Sequence, residues 1–89
     1  MKTFHIIISG KVQGVFFRAS AKKVAESYGI KGWIRNTKEG NVEAIISGES
    51  SIADTFIAWC RLGPKGGNVD DVIVTKKDYL KFDKFEIIH

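Results

Sequence analysis

Residues 10–18, with the sequence GKVQGVFFR, constrain the fold most strongly because they connect an apolar strand to an amphipathic helix within one short turn. Glycine gives the backbone the freedom to bend until several N–H groups converge. The start of the helix adds N–H groups without intrahelical partners and the positive end of the helix dipole. Arg18 supplies a planar guanidinium group that matches the geometry of phosphate. This segment therefore predicts an anion-binding turn.

The apolar periodicity of the chain predicts two strand–helix–strand units followed by a short terminal strand. The predicted strands are residues 2–9, 31–37, 42–47 and 69–75, with a terminal strand at 82–88. The first predicted helix runs from Phe17 to a C-terminal cap at Gly29. The second begins at an N-terminal cap, Ser50 or Ser51, and ends before Gly63. Two split βαβ units in this order predict an α+β, ferredoxin-like sandwich, in which two helices cover one face of an antiparallel sheet.

Val15 and four aromatic residues are interpreted as packing residues and not as ligand-binding groups. Val15, Phe16 and Phe17 are expected to anchor the turn, and Trp33 and Trp59 are expected in the core.

Composition limits the possible classes of protein. A length of 89 residues predicts one domain, spanning residues 1–89. The net charge of +4 favours anionic partners, but the basic residues form no clustered stripe of the kind that nucleic-acid binding requires. The only cysteine, Cys60, is predicted to be a buried residue of a helix. A single cysteine cannot form an intramolecular disulfide, which is typical of a protein in a reducing compartment. No apolar run is long enough for a membrane span. We therefore expect a cytoplasmic monomer without a membrane or nucleic-acid partner.

The turn lacks the residues of two familiar phosphate-binding loops. It does not end in Gly-Lys-Ser/Thr, as a Walker loop does, and it contains no cysteine nucleophile. His5 and His89 belong to no cluster at metal-ligand spacing, so no metal site is expected. If a site of this composition catalyses a reaction, it must use water as its nucleophile, and another residue must position that water.

Residues 32–43, with the sequence GWIRNTKEGNVE, make the resemblance to a known family specific. Together with residues 10–18 they resemble the acylphosphatase family, which has the patterns G-x-V-Q-G-V-x-F-R, G-x-V-x-N and G-x-V-E. The similarity extends over the whole chain. Ile34 replaces the usual valine, and Lys38-Glu39 precedes the hairpin glycine where an aspartate is common. Both departures are expected to affect packing and a turn, and to leave the chemistry unchanged.

The resemblance implies hydrolysis of small acyl phosphates to a carboxylate and inorganic phosphate, without a metal or another cofactor. It implies that Arg18 binds the phosphoryl group and that Asn36 orients the attacking water. The cradle would consist of the backbone N–H groups of Gly14, Val15, Phe16, Phe17 and Arg18. Residue chemistry by itself does not decide the role of Asn36, because an asparagine at a strand end is equally typical of a turn.

Two other functions share some of these features. An RNA-recognition domain has the same order of elements, but its stacking aromatics lie on the central strands, and residues 41–47 contain none. Residues 31–34 match only the opening of the RNA-binding signature. The second alternative is a domain that binds carbamoyl or acyl phosphate within a larger assembly. The length of the chain favours a free-standing enzyme.

Overall fold

The computed structural model describes all residues from Met1 to His89. Neither of its helices is long and apolar enough to cross a membrane. The elements in chain order are β1 (Lys2–Lys11), α1 (Phe17–Ser27), β2 (Lys31–Asn36), β3 (Val42–Gly48), α2 (Ser50–Leu62), β4 (Asn68–Lys77) and β5 (Phe85–Ile88).

The five strands form one sheet in the order β4-β1-β3-β2-β5. Neighbouring strands among the first four are antiparallel, and the predicted α+β, ferredoxin-like fold is confirmed. The antiparallel pairing expected for the sheet holds for these four strands, whereas β5 pairs parallel to β2 and makes the sheet mixed. The chain leaves β4 at one edge, crosses the end of the sheet through residues 78–84, and enters β5 at the other edge. A strand that starts at the end where β4 finishes must run antiparallel to β4, and therefore parallel to β2.

Two buried hydroxyl groups fix this crossing segment to the sheet. The backbone N–H of Leu80 donates to Thr3 Oγ1 at 2.8 Å, and Ser47 Oγ donates to the Leu80 carbonyl at 2.7 Å. The two hydroxyl oxygens lie 2.6 Å apart, so the Thr3 hydroxyl donates to Ser47. Both side chains are buried, and this closed network satisfies their polar groups inside the protein.

One apolar core lies between the helices and one face of the sheet. The two-residue period of the strands directs Ile6, Ile8 and Ile34 to this face. In the helix layer, the rings of Phe17 and Trp59 pack with their centroids 5.2 Å apart. Cys60 is fully buried among these side chains, as predicted, and burial raises the pKa of its thiol to about 12. A thiol in this environment is protonated and unreactive.

Two sequence-based expectations about α2 and β2 are wrong. Neither Ser50 nor Ser51 caps α2, because Glu49 is the N-cap in an extended conformation and its carbonyl accepts the first helical bond from Ala53 N–H at 2.8 Å. Trp33 does not lie in the core but is half-buried on the open face of the sheet. The two-residue period explains this position, because Trp33 alternates with the buried Ile34 along β2.

The first strand continues past its predicted end at Ser9, as far as Lys11. The register shifts between Ser9 and Gly10, which has a φ of 122°. A Cβ atom on Gly10 would lie 2.2 Å from the backbone oxygen of Asn68, so only glycine allows this close approach. This register shift is a β-bulge within β1. The anion-binding turn predicted for residues 10–18 therefore begins only at residue 12.

The glutamate of the G-x-V-E pattern lies on the open face of the sheet. Glu43 contacts His5 Nε2 through Oε2 at 2.6 Å and the Arg35 guanidinium through Oε1 at 2.6 Å. The hydrogen bond from His5 lowers the pKa of Glu43, and Arg35 adds to this effect, whereas partial burial opposes it. This contact links β1, β3 and β2 on the face opposite the helices. Glu43 therefore has a structural role in aligning the strands.

Candidate active site

The loop between β1 and α1 has an unusual backbone. Gly14 has a φ of 75° and Phe16 a φ of 61°, whereas the φ of Val15 between them is negative. Alternation of this kind turns successive N–H groups towards one point and forms anion-binding concavities. Val12 is buried and Val15 packs against the core, so both ends of the loop are anchored to the protein interior.

The N–H groups of this loop have no partners within the protein. Gly14, Val15 and Phe16 donate no backbone hydrogen bond to another residue, and the first helical bond runs from Ser20 N–H to the carbonyl of Phe16 at 3.0 Å. The helix has no side-chain cap and no acidic residue in its first turn. The first N–H groups of a helix also lack intrahelical acceptors. A continuous series of donors is therefore available to an anion.

Arg18 lies in the first turn of α1, half-buried, and forms no ion pair. A cation at the N-terminus of a helix is unfavourable because the helix dipole is positive there. An anion held between the guanidinium group and the N–H donors would remove this repulsion. The position of Arg18 thus fits an anion-binding role better than a role in surface charge pairing.

Asn36 is the last residue of β2 and lies on its helix-covered face, in register with Val42. Its Oδ1 atom is buried and has no hydrogen-bond partner in the protein. An unsatisfied buried acceptor costs about 1–3 kcal/mol, which is tolerated mainly where function requires it. This oxygen can accept a hydrogen bond from a water molecule in the adjacent cleft.

One cleft of about 500 Å³ joins these features. It contains four of the five predicted cradle residues together with Asn36, whereas the side chain of Val15 packs towards the core. Elsewhere in the molecule, no three His, Cys, Asp or Glu side chains cluster closely enough to hold a metal ion. The lining residues of the cleft are Val12, Gly14, Phe16, Phe17, Arg18, Ala19, Asn36, Ile87 and His89.

The expectation that Phe16 packs inside the turn is wrong. Phe16 is 82% exposed, whereas Phe17 beside it is only 2% exposed. The left-handed backbone at Phe16 separates the two rings, so that Phe17 enters the core and Phe16 stands at the mouth of the cleft. From the sequence, the ring of Phe16 was expected to pack, and only its backbone N–H was assigned a role in binding.

Gln13 is a residue of the site that sequence chemistry missed. Its Nε2 atom donates to the carbonyl of Thr37 at 2.9 Å and to the carbonyl of Asn41 at 2.8 Å. These carbonyls belong to the hairpin that follows Asn36. Gln13 therefore ties the loop between β1 and α1 to the strand end that carries Asn36. Its place in the pattern G-x-V-Q-G-V-x-F-R was the only signal of its importance.

Comparison with known proteins identifies the family. A family model described as Acylphosphatase matches residues 4–87. The chain belongs to the acylphosphatase family. It is 46% identical over 86 residues to an acylphosphatase of Pyrobaculum calidifontis, covering 94% of this chain and 78% of that relative. It is 42% identical to an acylphosphatase of Syntrophus aciditrophicus over 100% of this chain and 94% of that protein.

A solved structure shows the same architecture. The crystal structure of acylphosphatase from Bacillus subtilis superimposes with a TM-score of 0.96 at 30% identity, over the full length of both chains. The positions at which this chain departs from the acylphosphatase pattern lie where the sequence predicted. Ile34 is fully buried in the core, and Lys38 and Glu39 are exposed in the hairpin turn.

Replacing Gln13 by methionine tests its positioning role. Methionine keeps the length of the side chain but removes both donors, and it adds no charge beside the loop between β1 and α1. Because the strand end that carries Asn36 loses its tie to the loop, we expect kcat for acetyl phosphate to fall about tenfold or more. The inhibition constant of inorganic phosphate should change less, since the N–H donors and Arg18 remain. A Gln13→Met variant with the wild-type kcat would show that the contact is not needed to position Asn36.

Proposed function

We propose that this protein is an acylphosphate phosphohydrolase, which hydrolyses the carboxyl–phosphate anhydride of small acyl phosphates without a metal or another cofactor. One observation carries the proposal. In a chain of the acylphosphatase family, unpaired backbone donors, an unpaired Arg18 and the orphaned Oδ1 of Asn36 meet in one cleft. These groups supply what the reaction needs, an anion site and a water-positioning acceptor.

Arg18 and the N–H groups of Gly14, Val15, Phe16, Phe17 and Arg18 hold the phosphoryl oxygens. Phosphoryl transfer passes through a loose transition state, with its charge spread over the equatorial oxygens, and catalysis is therefore mostly positioning and electrostatic stabilisation. Donors that are fixed before the reaction need no reorganisation when this charge develops. In comparable sites one such donor contributes about 2.7–4 kcal/mol.

Asn36 orients the water molecule that attacks phosphorus. Its carboxamide cannot remove a proton at neutral pH, but Oδ1 can accept a hydrogen bond and direct the lone pair of the water oxygen in line with the breaking bond. The water oxygen bonds to phosphorus while the bond between phosphorus and the acyl oxygen breaks, and the electron pair leaves with the carboxylate. The water proton passes to an oxygen of the substrate's own phosphate. The products are a carboxylate and dihydrogen phosphate.

The leaving group explains the preference for acyl phosphates. A carboxylate is a weak base and leaves without protonation, whereas the alkoxide of a phosphate monoester normally needs a general acid. No aspartate or glutamate lines the cleft. The mechanism also gives no role to the imidazole of His89 at its edge.

We further propose a cytoplasmic monomer that does not bind nucleic acid. The fully buried thiol of Cys60 is compatible with a reducing compartment. On the open face of the two central strands, the side chains are Thr3, His5, Ile7 and Ser9 on β1 and Glu43, Ile45 and Ser47 on β3, and none is a phenylalanine, tyrosine or tryptophan. The two central strands therefore lack the aromatic platform on which RNA-recognition domains stack bases.

The activity is tested with acetyl phosphate and p-nitrophenyl phosphate in the presence of EDTA. We expect hydrolysis of the acyl phosphate with no loss of rate in the chelator, and negligible hydrolysis of the monoester. Activity that EDTA abolishes and added metal restores would contradict the metal-free mechanism. Comparable rates on both substrates would contradict the assignment to acyl phosphates.

The roles of Arg18 and Asn36 are tested by substitution. Arg18→Ala and Asn36→Ala should each lower kcat/KM by roughly 100- to 1,000-fold, because each removes a group that acts at the transition state. Arg18→Lys should restore little, since an ammonium group cannot form the two-pronged contact. The circular dichroism spectra should match that of the wild type.

Matched variants separate these effects from general damage. Arg61→Ala removes an exposed arginine at the end of α2, and His89→Ala removes the imidazole at the edge of the cleft. Both should keep wild-type kcat/KM. A strong loss of activity in His89→Ala would refute the mechanism without a general acid. Near-normal activity in Arg18→Ala or in Asn36→Ala would refute the role given to that residue.

A further inference from the structure

Phe16 combines two features that folding does not explain. The residue is 82% exposed, and it is the only residue other than glycine with a positive φ. It also occupies the N-cap of α1, where serine, threonine, asparagine, aspartate or glycine would satisfy the helix or relax the backbone. A strained backbone and an exposed apolar ring at one position point to a role in binding.

The surroundings of the ring indicate what it contacts. Phe16 lines the same cleft as Arg18 and Asn36, and the side chains of Ala19 and Ile87 contribute further apolar surface there. A volume of about 500 Å³ lies in the range of clefts that hold organic ligands. An inorganic phosphate held by the loop and Arg18 would leave much of this apolar cleft unfilled.

The reaction places the acyl group against this surface. When the phosphoryl oxygens occupy the backbone donors, the acyl group extends from phosphorus on the side opposite the attacking water. The lining residues that take no part in holding phosphate are then the ones available to contact it. Ala19 and Ile87 offer aliphatic surface, and the ring of Phe16 can pack edge-on or offset against an aromatic acyl group.

We infer that Phe16 sets the acyl-group specificity and favours acyl phosphates with an aromatic acyl group over those with a small one. This inference rests on the proposed function. The phenyl ring provides the contact, and the backbone N–H of the same residue serves the phosphate. Residue 16 thus contributes its N–H group to phosphate binding and its side chain to the choice of acyl group.

The test compares kcat/KM for benzoyl phosphate with kcat/KM for acetyl phosphate in the wild type and in Phe16→Asn. Asparagine tolerates the left-handed backbone and removes the ring. Any disturbance of the anion-binding loop affects both substrates and cancels in the ratio. We expect the benzoyl-to-acetyl ratio to fall about two- to tenfold, as the loss of one aromatic contact predicts. The change should appear mainly as a higher KM for benzoyl phosphate.

Two further variants complete the test. Phe16→Tyr keeps the ring and should keep the wild-type ratio. Leu62→Asn removes another apolar side chain, 77% exposed at the end of α2 and outside the cleft, and should also keep the ratio. A wild-type ratio in Phe16→Asn, or an equal loss in Leu62→Asn, would overturn the inference while the proposed function stands. Failure of the wild type to hydrolyse either substrate would instead refute the proposed function.

Discussion

The backbone between β1 and α1 must keep its N–H groups unpaired, and the rest of the site depends on this constraint. Such a loop gains no stability from its own hydrogen bonds, and it contains two left-handed residues, one of which is not glycine. The surrounding structure holds it in place. Val12 and Phe17 are buried on either side, and the two hydrogen bonds of Gln13 join it to the neighbouring hairpin. The core thus stabilises a conformation that the loop alone would not adopt.

The two faces of the sheet have different roles. The helix-covered face supplies the core and ends, along β2, in the buried Oδ1 atom of Asn36. The open face carries the contact of Glu43 with His5 and Arg35, which aligns the three strands that include β2. Arg35 directly precedes Asn36 in the chain, so the alignment on one face supports the position of the amide on the other. A glutamate of the family pattern therefore acts at a distance from the cleft.

Much of this arrangement could be predicted from the sequence because it follows local periodicity and motif spacing. The order of elements, the helix start at Phe17 and the position of Arg18 follow from the pattern of residues 10–18 and from the apolar spacing on either side. The side of β2 on which Asn36 lies follows from its two-residue offset from the buried Ile34. Family resemblance, and not residue chemistry, singled Asn36 out from an ordinary turn residue.

Other features could not be predicted because they depend on tertiary contacts or on single backbone angles. The outward ring of Phe16 follows from one positive φ, which an aromatic residue does not indicate. The contacts of Gln13 join segments that are 24 and 28 residues apart in sequence. The parallel pairing of β5, which brings Ile87 to the cleft, follows from the path of the crossing segment.

The central claim is that the N–H groups of residues 14–18 bind the phosphate oxygens, and titration with inorganic phosphate, followed by ¹H–¹⁵N correlation spectra, tests it most directly. The account predicts that the largest amide shifts fall on these residues and on the side-chain amide of Asn36. It would be contradicted if those signals stayed in place while phosphate shifted amides elsewhere, such as those of the lysine-containing segment 81–84.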